Sequence, residues 1–313
     1  MIRKSIFEED YKPQFSGHET FPIRYGWLEK AFHAVDEDEN ANPKIFSEPS
    51  AIAHFGVGKN MVAAIRFWAQ VADIIITESK EAKSTDLGKQ LFSKGGLDPF
   101  LENPTSLWRL HWEIASNPKH TSVYWLFNHL NEGTFDKDLL VHRMIEFAGV
   151  RNWKKPAIKT VSTDFNVLLS NYVADTNSRG PLDERLVSPF TELALIRARS
   201  NGKYSLNWGQ KSSLTDGVFL YAVCDFWNRF TEANTLNFQT LLLEAGSPGR
   251  VFLLEESELA FRLMDVSRQT GGLISWSETA GLKQLIRTDK FESSFADKIF
   301  QSDYEKPQHK GVQ

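Results

Sequence analysis

His18 and Glu19 stand side by side in the run F-S-G-H-E-T-F-P-I-R-Y-G-W-L (Phe15 to Leu28), with Arg24 five residues beyond the glutamate. These three residue types match the needs of phosphodiester chemistry. His18 can act as general base or metal ligand, Glu19 as general acid or ligand, and Arg24 as a phosphate clamp. On a helix the adjacent pair would face different directions, whereas a turn would let it converge. The same run also reads as scaffold. Ser16 followed three positions later by Glu19 matches a capping box, and Phe15, Phe21, Tyr25, Trp27 and Leu28 are packing residues. From the residues alone the scaffold has more behind it.

Other signatures of chemistry are weaker. Asp73 with Glu78-Ser79-Lys80 imitates the D…E-x-K pattern that holds Mg²⁺ for strand cleavage. Asp73 ends an expected helix and the later residues fall at an expected hairpin tip, which favours a surface turn. His111, Asn117, His120 and His129 lack the spacing of a ββα-metal nuclease and sit among aromatic residues, where structural histidines are common. G-V-G-K-N (Gly56 to Asn60) fails the phosphate-loop pattern on spacing and lacks its terminal hydroxyl, so no nucleotide site is evident. Hydrolysis would call on Mg²⁺ or another divalent cation.

Elements that would carry a nucleic-acid interface are easier to read. Residues 50 to 77 suggest a short helix, a glycine turn, a longer helix with Asn60 as N-cap, and a β-branched strand. Met61, Ile65, Trp68 and Ala72 repeat at helical spacing as a buried stripe. Lys59, Asn60, Arg66 and Gln70 belong to a small, polar, cationic surface with Ala63, as a helix entering a DNA major groove requires. Such a helix pair can equally be plain core. The polar stretch 78 to 83 would be the tip of a hairpin, followed by a short helix capped by Ser84. Pro99 to Leu130 reads as one or two buried helices.

The helix-then-hairpin order recurs. Helical periodicity over Asp138 to Ala148 and Thr160 to Tyr172 flanks a linker, R-N-W-K-K-P-A-I-K, whose Arg151, Lys154, Lys155 and Lys159 could grip phosphates. Leu193 to Arg197 and Lys203 to Leu206 alternate as strands around Asn201-Gly202, a strong hairpin signal. A third segment offers helices over Leu214 to Phe230, Phe238 to Glu244 and Glu255 to Arg268. It also has a Pro-Gly turn at Ser247 to Phe252 and a closing hairpin, Leu273 to Trp276 with Leu282 to Arg287. Residues after Phe300 are polar and expected to fray. The segments share an order of elements, not a fixed period.

Composition sets bounds. At 313 residues with 41% hydrophobic and 24% charged side chains, the chain can bury a substantial core and is ordinary globular material. Its net charge of −4 argues against a general nucleic-acid coat. From Arg151 to Lys211, however, ten Lys or Arg face five Asp or Glu, so that stretch carries +5 and the remainder −9. A basic module in an acidic chain suits a specific DNA contact combined with protein partners. The acidic run Asp36 to Glu39 reads as a solvated loop. Cys224, the only cysteine, reads as a core filler. The N-terminus carries acids and lacks the apolar core of a signal peptide, and no run is long enough to span a bilayer. A cytoplasmic protein without membrane partners is expected.

The run Phe15 to Leu28 carries a resemblance, together with G-V-G-K-N-M-V-A-A-I-R-F-W, G-L-D-P-F-L-E-N-P-T-S-L-W-R-L-H-W, G-S-P-G-R-V-F and T-A-G-L-K-Q-L-I-R. In the same order, these resemble the motifs of a bacterial domain-of-unknown-function family. That family includes the SspB-type component of single-strand DNA phosphorothioation systems, which replace a backbone oxygen by sulfur. The resemblance implies a DNA-acting protein encoded beside a cysteine desulfurase and an ATP-dependent sulfurtransferase, its candidate partners, and, in the SspB-type branch, a DNA nickase that opens one strand for sulfur incorporation. It assigns no catalytic residue.

The expectation is thus a mainly α protein with short β-hairpins, built of tandem winged helix-turn-helix units. These run as an N-terminal motif segment (1–42), a first winged unit with a helical extension (43–133), a basic second winged unit (134–212), a third helical or winged unit (213–290) and a tail (291–313). Its expected function is binding double-stranded DNA in phosphorothioation and phage defence, with one-strand nicking. The alternatives are a non-catalytic DNA-reading adaptor for the sulfurtransferase and a winged-helix transcriptional regulator.

Overall fold

Aromatic and aliphatic side chains at helical spacing build most of this protein, and short hairpins punctuate the helices. The computed structural model describes residues 6–36, 41–174, 188–279, 281–291 and 294–305. The chain forms two compact units, 4–207 and 208–313. No described helix is long and apolar enough to cross a membrane.

The larger unit begins with α1 (Trp27–Asp36), a 3-10 turn (Pro43–Phe46), α2 (Ala51–Phe55) and α3 (Lys59–Val71). A hairpin of β1 (Ile75–Thr77) and β2 (Ala82–Ser84) follows, then α4 (Asp86–Phe92). Next come α5 (Pro104–Ala115), α6 (Thr121–His129), α7 (Lys137–Val150), α8 (Ile158–Tyr172) and a second hairpin, β3 (Ile196–Ala198) with β4 (Tyr204–Leu206). Every residue of α5 from Thr105 to Ala115 is buried, polar ones included, so this helix is enclosed all round. Its Arg109 and Glu113, four apart on one face, are buried as an ion pair.

In the smaller unit α9 (Asp216–Phe230) precedes β5 (Thr235–Asn237), α10 (Phe238–Leu243), α11 (Pro248–Val251), α12 (Glu256–Met264) and α13 (Val266–Gln269). The chain then forms β6 (Ile274–Thr279), β7 (Leu282–Arg287) and α14 (Ser294–Glu305). Cys224 is buried in α9, and burial pushes its thiol up to about 12, as suits a core filler.

One arrangement occurs three times. Ahead of the helices that lead into each hairpin the chain hydrogen-bonds to that hairpin's second strand, not to its first; among the described residues, two α-helices intervene in the first two cases and four in the third. Ala82 N–H reaches the Ala41 carbonyl at 2.8 Å before α2 and α3. Phe135 bridges Tyr204 of β4, with backbone bonds of 2.9 and 2.7 Å, before α7 and α8. In the smaller unit β5 pairs with β7, giving the order β5-β7-β6. The second hairpin turns through Asn201 and Gly202, at φ 60° and 68°, a pair of left-handed positions that Asn-Gly adopts at low cost.

Several local expectations are corrected. The α3 helix starts at Lys59 with Gly58 as its N-cap, so Asn60 lies inside its first turn. Thr85, not Ser84, caps α4, accepting the Gly88 N–H at 3.0 Å. The Pro-Gly turn at Ser247 is a short helix with proline in its first turn, where a missing N–H costs nothing. The long helix after Glu255 divides at Asp265 into α12 and α13. Residues after Phe300 continue α14 to Glu305, because Phe300 is fully buried and Asp303 accepts the Val218 N–H of α9 at 3.1 Å. Of the acidic run, residues 37–39 lie outside the described residues.

Candidate functional site

Ser16 caps no helix, since α1 begins only at Trp27. The run before it is an irregular strap, and its path is demanding. Gly17 takes φ +121°, and a Cβ there would overlap the Phe67 ring. Glu19 and Thr20 follow at φ 47° and 69°, two consecutive left-handed residues, one of them β-branched. Backbone in this region costs on the order of 1 to 3 kcal/mol per residue and persists only where the surroundings fix it.

What fixes it is the side chain of His18, buried at 4% exposure. Its Nδ1 accepts the Thr20 N–H at 3.1 Å, which leaves the ring proton on Nε2 to be donated to Asp164 Oδ1 at 2.9 Å. The other oxygen of Asp164 accepts the Ser122 hydroxyl. Strap, α6 and α8 therefore meet on one carboxylate. His18 also stacks on Trp68 and meets Phe67 edge-on, and His120 makes both contacts too, with ring centres 6.1 and 4.9 Å away. Burial, with His18 and Lys119 nearby, lowers the His120 pKa to about 3, so this imidazole is neutral.

Further bonds hold the strap on either side. Tyr11 donates its hydroxyl proton to the Pro118 carbonyl at 2.6 Å, so the Thr121 hydroxyl donates to Tyr11 across 2.8 Å while accepting the Gln14 N–H. Trp68 Nε1 donates to the Phe21 carbonyl at 3.0 Å, and Ile23 N–H to Asn171 Oδ1 at 2.9 Å. The Tyr25 hydroxyl donates to Glu192.

The three expected catalytic residues thus occupy different environments. His18 is enclosed and uses both ring nitrogens on the protein itself. Glu19 is exposed next to it. Arg24 is half-buried, its guanidinium 5.6 Å from the Phe21 ring centre and 5.2 Å from that of Trp27, and burial lowers its pKa. No group of three His, Cys, Asp or Glu among the described residues is placed to hold a metal ion, so they supply no protein cage for Mg²⁺. Glu78 to Lys80 form the tip of the first hairpin, where Glu78 N–H bonds the Glu81 carbonyl at 2.8 Å. His111 is fully buried against the Tyr172 hydroxyl at 2.9 Å, a structural histidine.

On α3, Val62, Ile65, Trp68 and Ala69 are buried, whereas Met61 is only half-buried. Lys59, Asn60 and Gln70 are exposed. Arg66 Nη2 and Gln70 Nε2 both donate to Thr77 Oγ1 of β1, tying the polar face of the helix to its own hairpin. In the linker, Lys154, Lys155 and Lys159 are exposed. Arg151 is already engaged: it covers the Phe7 ring at 4.7 Å and donates to the Phe7 carbonyl at 2.7 Å. Asp164, Ser122 and His120 were not singled out as partners of His18 by sequence, because nothing in local spacing links residues 100 to 150 positions apart.

Fold and strap together define a helical protein whose short hairpins each close back on the segment that starts their own run of helices, with an N-terminal strap locked into the larger unit. The chain belongs to the family described as protein of unknown function (DUF4007), which matches residues 15–304. It is similar to a magnesium-ion-bound SspB crystal structure, at 28% identity and TM-score 0.85, over 96% of this chain and 91% of that one. A second SspB crystal structure matches at 26% identity with the same TM-score and coverage. Among curated proteins none matches.

Proposed function

We propose that this protein binds double-stranded DNA through winged helix-turn-helix units in the cytoplasm and serves a bacterial DNA phosphorothioation and phage-defence system. Its activity there is to nick one strand so that sulfur can be incorporated, alongside a cysteine desulfurase and an ATP-dependent sulfurtransferase. The observation that supports this furthest is the likeness to SspB over 96% of the chain. The repeated order of a short pairing segment, helices and hairpin, with that segment beside the hairpin's last strand, agrees with a winged-helix arrangement. In that arrangement α3, α8 and α12 with α13 are the second helices, the ones that would enter a groove.

Nicking needs an activated water, stabilisation of phosphorane charge and a protonated leaving group. Glu19, exposed on a strained loop beside a fixed histidine, is the candidate carboxylate for this step. His18 acts by positioning, since its nitrogens are spent on Thr20 and Asp164. That same engagement favours a second reading, a non-catalytic adaptor that reads DNA for the sulfurtransferase.

Supercoiled plasmid incubated with Mg²⁺ or Mn²⁺, or with EDTA, separates the two. Metal-dependent open circles that disappear with Glu19→Gln, a surface change that leaves His18 in place, support nicking at this loop. Circles that survive Glu19→Gln and His18→Ala move the active site elsewhere. Plasmid that is retarded yet stays supercoiled makes the protein an adaptor.

A further inference from the structure

The three hairpins differ sharply in charge. The first carries Glu78, Lys80, Glu81 and Lys83 around its tip, and Lys83 is paired with Glu81 at 2.9 Å. The third carries Glu278, Lys283 and Arg287, but Lys283 lies 3.6 Å from Glu256 of α12 and the Arg287 guanidinium is engaged by Asn228 and the Thr231 and Glu232 carbonyls. The second hairpin has no acid between Ala194 and Asn207 and presents Arg197, Arg199 and Lys203, all exposed. Arg197 and Arg199 are two apart, so both leave the same face of the ribbon. Arg199 donates its Nε to Ser205 Oγ on the opposite strand at 2.9 Å, which lays the side chain across the hairpin and leaves its terminal nitrogens for another acceptor. None of these three cations forms an ion pair among the described residues. The turn at Asn201-Gly202 is compact and fixed in register by Phe135 on Tyr204, so the cations project from a rigid base.

We infer that the second hairpin, through Arg197, Arg199 and Lys203, is a phosphate-gripping element for duplex DNA, and that the first and third hairpins are not. The inference rests on the DNA-binding reading above and assigns the hairpin grip on phosphates to one of the three hairpins. The exposed lysines of the same unit, Lys154, Lys155 and Lys159 at the entry to α8, add cations without acids beside them in the linker. Polyanion backbone is the occupant that charge selects: three clustered cations with no counter-charge repel one another until an external anion neutralises them. In the other two hairpins acids balance or pair the cations, or the protein itself engages them, which makes both poor ligands for the same surface.

Fluorescence anisotropy of the full chain on a labelled duplex across a salt series tests this. Two variants are compared with wild type: Arg197→Ala with Lys203→Ala, which keeps the Arg199–Ser205 bond, and Lys80→Ala with Lys83→Ala in the first hairpin. Each lost phosphate contact lowers the slope of log affinity against log salt by about 0.9. The second-hairpin variant should lose about two units of slope and bind roughly tenfold or more weakly at low salt, with an unchanged melting temperature, while the first-hairpin variant stays at wild type. Wild-type binding with an unchanged slope in the second-hairpin variant overturns the inference and leaves DNA binding standing. Equal loss in both variants also overturns it, since the grip would then not be selective. A wild type that binds no duplex removes the DNA-binding reading and this inference together.

Discussion

Lowering the pH from 7.5 to 5 should destabilise the larger unit in part through the side chain of His120. Its ring is 7% exposed, 4.9 Å from the Phe67 ring centre and 6.1 Å from that of Trp68, with His18 and Lys119 nearby. The folded state holds it neutral down to about pH 3, whereas an unfolded histidine takes up a proton near 6.5. The unfolded chain therefore binds more protons over this window, and stability falls with pH. It is fully present above 6.5 and lost progressively as the pH drops toward 3. At pH 5 the gap of about 1.5 units below the unfolded value, at 1.36 kcal/mol per unit, amounts to about 2 kcal/mol. Attraction of a charged imidazole to the Trp68 face would return on the order of 0.5 to 2 kcal/mol, and that is less than the cost of burying the charge. For a unit of roughly 200 residues the loss corresponds to about 4 to 8 °C in melting temperature. Tryptophan fluorescence is the suitable probe, since six of the nine tryptophans lie within residues 4–207. Wild type and His120→Gln are melted at both pH values. The variant starts less stable at pH 7.5 but should lose about 2 kcal/mol less than wild type on acidification, because it lacks the buried imidazole. If it loses as much as wild type, His120 is not an acid-sensitive group and the reasoning fails.

Three further outcomes follow from the geometry. Replacing Lys59 and Arg66 together by alanine should weaken duplex binding in an electrophoretic shift assay while far-UV circular dichroism stays unchanged; because Arg66 is partly spent on Thr77, Lys59→Ala alone should account for most of the loss. Gly17→Ala should cost about 2 to 4 kcal/mol in urea unfolding, from a positive φ plus overlap with Phe67, and a Phe67→Leu background should recover the overlap part only; a cost that vanishes entirely in that background refutes the strain. Asp303→Ala should cost about 1 to 2 kcal/mol by uncovering the Val218 N–H at the start of α9, and an unchanged unfolding midpoint would show that α14 does not hold that helix end.

Sequence periodicity by itself determined most of the local architecture. The stripes of α3, α8 and α9 were legible because a helix facing a core must repeat its apolar residues every three to four positions. Asn201-Gly202 announced its hairpin because few other dipeptides take two left-handed positions cheaply. The motif order carried the family. Local pattern misled where a helix end depended on remote partners. Ser16 and Glu19 have capping-box spacing yet lie in a strap, because bonds to α6 and α8 outweigh a cap. The end of α14 looked polar, but its Phe300 and Asp303 serve α9.

Only the tertiary structure decided what the chemical residues could do. Adjacent in sequence, His18 and Glu19 part company: one closes onto Asp164, 146 positions away, and the other faces solvent. Four cations in the linker look alike as letters, yet Arg151 is consumed by Phe7 while its neighbouring lysines stay exposed. Burial and pairing are properties of the whole packed chain, and the free energy of a charge depends on them more than on the identity of the residue that carries it.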